Sequence, residues 1–241
     1  MKRVIIIQAR VGSTRLPGKV LSDLAGEPML ARVIARSRRA TKIDDFVIAT
    51  TTKPEDDAIV KMCTIHSWPC FRGSEDDLLD RYYKAALQHK ADVVVRITSD
   101  CPLIEPQVLD LVAGEFLIGS LDYASNALPP RTFPRGLDVE VLAFEALERA
   151  WREDTNSAWR EHVTPYIYRH PESFRIKAVL NDFDFSFLRW TVDTREDLEL
   201  VQRIYSHFGH DEFSWRNVLE LLAKHSSWLD LNRRIAQKEV A

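Results

Sequence analysis

Apolar residues fall along this chain in two alternating patterns. Short, β-branched runs at residues 4–7, 46–49 and 93–97 are almost unbroken by polar residues. That is the pattern of strands buried on both faces. Between them apolar positions recur at helical spacing. Pro28 opens one such pattern, with Met29, Leu30, Val33 and Ile34; proline suits a first turn, where its missing N–H costs little. Pro54 opens a second, with Ala58, Ile59 and Met62 on one face. Ser74 is a candidate cap for a third over residues 75–89, whose stripe is Leu78, Leu79, Tyr82, Tyr83, Ala86 and Leu87. Residues 105–116 form a fourth. This β-α-β-α rhythm predicts an α/β fold: a mainly parallel, doubly wound sheet with helices on both faces.

The rhythm breaks at residues 123–144, an extended stretch containing Pro129, Pro130 and Pro134. Leu137, Val139 and Val141 alternate there with Asp138, Glu140 and Leu142, which predicts a half-exposed strand in an arm or lid beside the sheet. Residues 143–151 and 161–168 look helical, and residues 174–179 and 188–192 look like strands. Amphipathic helices over 196–208 and 215–225 close the fold. At 241 residues, 45% of them hydrophobic, the chain suits a single domain with a full core. Residues 120–145 and 155–185 are expected within it as arm, lid, dimerisation or acceptor-binding segments.

Charge narrows the function classes. Lys plus Arg number 33 against 36 Asp plus Glu, a net charge of -3. No global basic excess recruits nucleic acid, so the functional charge must be local. Cys63, Cys70 and Cys101 are odd in number and lack metal spacing, which predicts a reduced, cytoplasmic chain. No apolar run has the length of a signal-peptide core or a membrane span.

The local charge lies directly after the first strand, in Gln8-Ala9-Arg10-Val11-Gly12-Ser13-Thr14-Arg15-Leu16-Pro17-Gly18-Lys19. In open α/β sheets, ligands bind beyond the carboxyl ends of the strands. Glycines permit close backbone approach there, and amides with cationic heads complement a polyphosphate. A Walker P-loop is excluded: five residues rather than four separate Gly12 from Gly18, and Val20 follows Lys19.

Ala9-Arg10 and Ser13-Thr14-Arg15-Leu16-Pro17-Gly18-Lys19, followed by Leu21 and Gly26-Glu27-Pro28-Met29, resemble the signature of the cytidylyltransferase family that activates acidic sugars. That family includes the enzymes that make CMP-Kdo and CMP-sialic acid. The pattern is most similar to the spore-coat polysaccharide biosynthesis protein F branch, over residues 4 to about 204. The resemblance implies a Rossmann-like nucleotide-diphospho-sugar transferase fold. It also implies transfer of CMP from CTP to an acidic sugar or sugar phosphate, with Ala9, Arg10, Gly12, Ser13, Arg15 and Lys19 on the nucleotide.

Chemistry on a triphosphate calls for a divalent cation, and Mg²⁺ takes few carboxylates plus phosphate oxygens and water. Asp100 ends the third strand, where it faces the loop or caps the following turn. Asp193 ends residues 188–193 and reads by itself as a helix N-cap. The resemblance assigns the two as the Mg²⁺ pair. One departure stands out: the Kdo branch has Gln-Gly-Asp-Glu-Pro where this chain has Thr98-Ser99-Asp100-Cys101-Pro102. Asp and Pro remain, and the Gln and the second acid do not.

The family recognises cytosine around residues 71–81, which makes Arg72, Ser74 and Arg81 candidates; Arg81 alternatively pairs with Asp77 at i,i+4 on a solvated helix face. Arg135-Gly136-Leu137-Asp138-Val139-Glu140 and Arg160-Glu161-His162 resemble spore-coat-branch motifs. Arg135 and Arg160 suit bidentate binding of an acceptor carboxylate or phosphate. Asp138, Glu140 and His162 join the acceptor group, His162 as a donor, a base or a structural residue. Arg10, Lys19, Asp100 and Asp193 form the expected catalytic set. A homodimer is expected from the resemblance. A glycosyltransferase of related fold is the alternative, but the Asp-x-Asp metal pair usual there is absent at Ser99-Asp100-Cys101.

Overall fold

The computed structural model describes residues 1–236. In chain order its strands are β1 (Arg3–Gln8), β2 (Asp23–Leu24), β3 (Glu27–Pro28), β4 (Asp45–Thr51), β5 (Cys70–Gly73), β6 (Val93–Thr98), β7 (Tyr123–Ser125), β8 (Glu140–Ala143) and β9 (Ile176–Ala178). The helices are α1 (Met29–Ser37), α2 (Asp57–Ile65), α3 (Leu78–Gln88), α4 (Pro106–Ile118), α5 (Phe144–Glu153), α6 (Ser157–Arg160), α7 (Pro165–Tyr168), α8 (Arg195–Phe208) and α9 (Trp215–Lys224).

Strand geometry sends successive side chains to opposite faces, and β1 obeys it. Ile5 and Ile7 pack on one side of the sheet with residues of α1, α2, α4, α8 and α9. Val4 and Ile6 pack on the other with α3, α5 and α7. Among the described residues the main sheet runs β5-β4-β1-β6-β8-β7-β9, and β2 pairs with β3 in a separate ribbon. β1 pairs in parallel with both β4 and β6, and β4 with β5. The order therefore reverses at β1. The crevice beyond the carboxyl ends of β1 and β6 is the topological switch point, where open α/β sheets bind ligands.

Several elements depart from the sequence pattern. Residues 123–144 are not a free arm: β8 pairs antiparallel with β6 and β7, and β7 pairs in parallel with β9. The strand expected to be half-exposed is instead buried on both faces, with Glu140 and Leu142 inside along with Val139 and Val141. Residues 188–192 run extended beside Arg135 with one bridge, Arg135 to Arg189. Residues 161–168 do not form one helix. α6 ends at Arg160 and α7 starts at Pro165, and between them Val163 adopts φ 71°. α3 starts later than expected because its cap is Asp77, whose carboxylate accepts the Asp80 N–H at 2.9 Å. Ser74 accepts the Asp77 N–H at 3.0 Å in the turn before it. Among the described residues no helix is long and apolar enough to cross a membrane.

Candidate active site

The loop after β1 closes on Val11, whose carbonyl accepts the N–H groups of Ser13 (2.8 Å) and Gly18 (2.9 Å). Gly18 has φ 74°, in the left-handed region open to glycine, and leads into the 3-10 turn Lys19–Leu21. That turn leaves Lys19 only 8% exposed. Asp100 follows β6 by two residues, and Asp193 precedes α8. Asp193 is not the helix cap. Thr194 is, accepting the Asp197 N–H at 3.3 Å while the Asp197 carboxylate accepts the Thr194 N–H at 3.1 Å. The fully buried Asp197 also receives the Asp193 N–H at 3.0 Å and two Arg189 N–H groups at 2.9 and 3.0 Å. The capping box thus sets the backbone of Asp193 and leaves its side chain for the cleft.

All three segments converge on one charge. Lys19 Nζ lies 3.0 Å from Asp100 Oδ2 and 2.9 Å from Asp193 Oδ1, and donates to the Val192 carbonyl at 2.7 Å. Arg15 and Arg189 reach Asp193 Oδ2 at 2.8 and 3.0 Å. Burial works against the Lys19 charge, but Asp100 and Asp193 outweigh it and raise the ammonium above the ordinary lysine value. Burial likewise opposes ionisation of Asp100, and Lys19 outweighs it, holding the carboxyl below its usual range.

The donor set suits a hard divalent cation. Two carboxylates from separate elements already converge on one positive group, with Lys19 as the stand-in cation. Two carboxylates completed by phosphate oxygens and water match the preference of Mg²⁺. Asp100 and Asp193 are the residues that would hold it; among the described residues no group of three or more His, Cys, Asp or Glu could hold a metal ion by itself.

A cleft of about 370 Å³ opens over this point. Ala9, Arg10, Ser13, Arg15 and Lys19 line its loop side, Asp100 and Asp193 its floor, and Arg135, Asp138 and His162 its far side. Arg81 also lines it. The Arg81 guanidinium is not on a solvated face and does not pair with Asp77. It is 3% exposed, its Nε and Nη1 are buried without a hydrogen-bond partner, and burial lowers its pKa. Asp77 pairs with Arg160 instead, at 2.9 and 2.8 Å.

Five expected site residues stand off the cleft wall. Arg72 donates to the carbonyls of Thr51 and Lys53 at 2.9 Å each and pairs with Asp57 at 2.7 Å. Ser74 belongs to the turn before α3, and Gly12 faces Glu55 and Glu75. Arg160 is held by Asp77 and by the carbonyls of Trp151 and Asp154. Glu140 is buried against Arg96, Tyr123 (2.5 Å) and Thr164 (2.6 Å). Sequence reasoning passed over Gln8, Glu75, Arg96, Thr98, Glu161 and Thr191, which all line the cleft. Arg96 carried a signal, as the one charge in the apolar run of β6.

Arg135 is held in place through Gly136. Arg135 N donates to the Leu188 carbonyl at 3.0 Å, and its own carbonyl accepts the Trp190 N–H at 2.7 Å. Gly136 has φ 102°, and a Cβ there would stand 2.6 Å from the Thr191 nitrogen and the Trp190 carbonyl carbon. Only glycine fits.

A family model described as cytidylyltransferase matches residues 4–239. An uncharacterised protein of Methanocaldococcus jannaschii is 38% identical over 241 residues, covering 99% of this chain and 97% of that protein. The spore coat polysaccharide biosynthesis protein SpsF of Bacillus subtilis is 36% identical over 215 residues, 86% of this chain and 87% of that one. The solved structure of a cytidylyltransferase from Leptospira borgpetersenii superposes with TM-score 0.91 at 34% identity, over 99% of this chain and 100% of that one. The glycine- and cation-bearing loop at the switch point of the sheet, facing two carboxylates, thus stands in a chain that belongs to the cytidylyltransferase family.

Proposed function

We propose that the protein transfers CMP from CTP to a hydroxyl of an acidic sugar or sugar phosphate, for surface polysaccharide or glycan biosynthesis. The observation that carries this reading is the Lys19 ammonium, shared by Asp100 and Asp193 at the mouth of the β1 loop. Arg10, Ser13, Arg15 and Lys19 bind the triphosphate. Arg81, whose buried Nε and Nη1 lack hydrogen-bond partners, reads the base. Arg135 and Asp138 orient the acceptor, and Glu161 and His162 on the same side receive its hydroxyl proton. The acceptor oxygen bonds to the α-phosphorus while the bond to the β-phosphate bridging oxygen breaks, and pyrophosphate leaves. Positioning and charge neutralisation supply the catalysis, so no covalent enzyme intermediate is needed. Mg²⁺ bound by Asp100 and Asp193 would screen the phosphate oxygens.

The proposal includes a cytoplasmic homodimer, checked by light scattering at micromolar concentration. A pyrophosphate-release screen tests the reaction, crossing the four ribonucleoside triphosphates with a panel of acidic sugars and sugar phosphates. Release with CTP and one acceptor class is expected. Release with no acceptor, or transfer from a nucleotide sugar instead, overturns the reading.

A further inference from the structure

We infer that Asp56 is a positioning residue for the phosphate loop, an assignment that rests on the nucleotidyltransferase reading above. Asp56 ends the 3-10 turn Pro54–Asp56 behind the loop and is 1% exposed. Its Oδ1 accepts the Val11 N–H at 2.7 Å, and its Oδ2 accepts the Thr51 hydroxyl. Thr51 Oγ1 in turn accepts the Lys53 N–H at 3.1 Å, which fixes the turn that carries Asp56.

Val11 is the hub of the loop. Its carbonyl gathers the N–H groups of Ser13 and Gly18, so the orientation of its peptide sets the direction of the amides that follow. The carboxylate of Asp56 clamps that residue from the other side. Among the described residues Asp56 has no ion pair, and a buried charge without a cation is costly unless hydrogen bonds satisfy it. Here one of the two bonds goes to the loop. Amides that receive phosphate charge act best when they need no reorganisation on binding. Asp56 provides that rigidity without touching the nucleotide.

The test compares CTP with cytidine, which has no phosphate for the loop to bind, by calorimetric titration in Mg²⁺ buffer. Wild type is expected to prefer CTP. Asp56→Ala should lose about 10–100-fold in CTP affinity, the range for a hydrogen bond to a charged group, with cytidine affinity unchanged. Asp56→Asn still accepts the Val11 N–H and can donate to Thr51, so it should stay within about threefold of wild type for CTP. Full CTP affinity in Asp56→Ala, or an equal loss for cytidine, overturns the inference. A wild type that does not prefer CTP over cytidine overturns the nucleotide reading instead. Should Asp56→Ala not fold, amide exchange in wild type decides: Val11 is expected among the slowest amides of residues 9–15, and rapid exchange there overturns the inference.

Discussion

Lys19 joins two carboxylates that would otherwise face the cleft together, and it is the only ion-pair partner of Asp100 among the described residues. Lys19→Met should therefore cut pyrophosphate release about 10²–10³-fold, the usual effect of losing a preorganised charge. Turnover at saturating CTP measures it. Arg96 differs in kind, because it holds the buried Glu140 carboxylate from inside the sheet. Arg96→Met should cost about 3–5 kcal/mol, since it leaves that charge without its cation. Glu140→Gln in the same background should restore part of the loss in urea unfolding. These two residues mark the limit of legibility at this scale. Lys19 could be placed at the cleft from its loop and Asp100 from the strand it follows; Asp193 read by itself as a helix N-cap, and only the resemblance set it beside them. Glu140 could not be placed, because its partner Arg96 lies 44 residues away, across a strand pairing that the pattern alone does not specify. Arg72 and Arg160 stand off the cleft wall for a related reason: their direction is settled by carbonyls and acids in neighbouring elements.

Among elements, the crossing of residues 134–137 over residues 188–191 is the tightest constraint on the Arg135 side of the cleft. Gly136→Ala would put a methyl group into the Trp190–Thr191 backbone at a φ that disfavours alanine. It should cost about 1–3 kcal/mol, as overpacking does, and should weaken the acceptor interaction more than CTP binding, read as separate KM values. The strands β1, β4 and β6 and the helices α1, α8 and α9 were legible because each repeats one period long enough to be distinctive. β8 was legible as a strand but not as a buried one. Its apolar alternation is that of a surface strand, yet α5 packs on one face and α4 on the other, so burial came from tertiary neighbours rather than from period. The split between α6 and α7 falls at Val163, whose φ of 71° leaves the helical path, and Pro165 then opens the new helix at its first turn, where its missing N–H costs little.

Across the whole molecule, charge is distributed so that a chain of net charge -3 still gathers Arg10, Arg15, Lys19, Arg81 and Arg135 around one cleft, interleaved with acids. Asp100, Glu140 and Asp197 all titrate below their ordinary values, burial opposing ionisation and Lys19, Arg96 and Arg189 respectively outweighing it. A folded-state pKa below the unfolded one means fewer bound protons when folded. The stability these groups supply is therefore full above the ordinary carboxylate value of about 4 and lost as pH falls through the depressed folded values. Asp154, raised by burial, acts in the opposite sense but alone. Melting temperature should fall slightly between neutrality and about pH 5, where His89, lowered by burial, stays neutral in the fold while its unfolded form gains a proton, and should fall steeply below about pH 4. The same gathering of cations predicts how ligands stabilise the fold. A nucleotide at about 100 times its Kd adds roughly 2.7 kcal/mol, which in a chain of this size raises Tm by roughly 5–10 °C. If Arg10, Arg15 and Lys19 anchor the triphosphate, the shift should fall in the order CTP, CDP, CMP at equal concentration. If Arg81 reads the base, Arg81→Met should narrow the gap between CTP and UTP while leaving the CTP-to-CMP gap intact. A variant that lost both gaps together would assign Arg81 to the phosphates and leave the base to be read elsewhere.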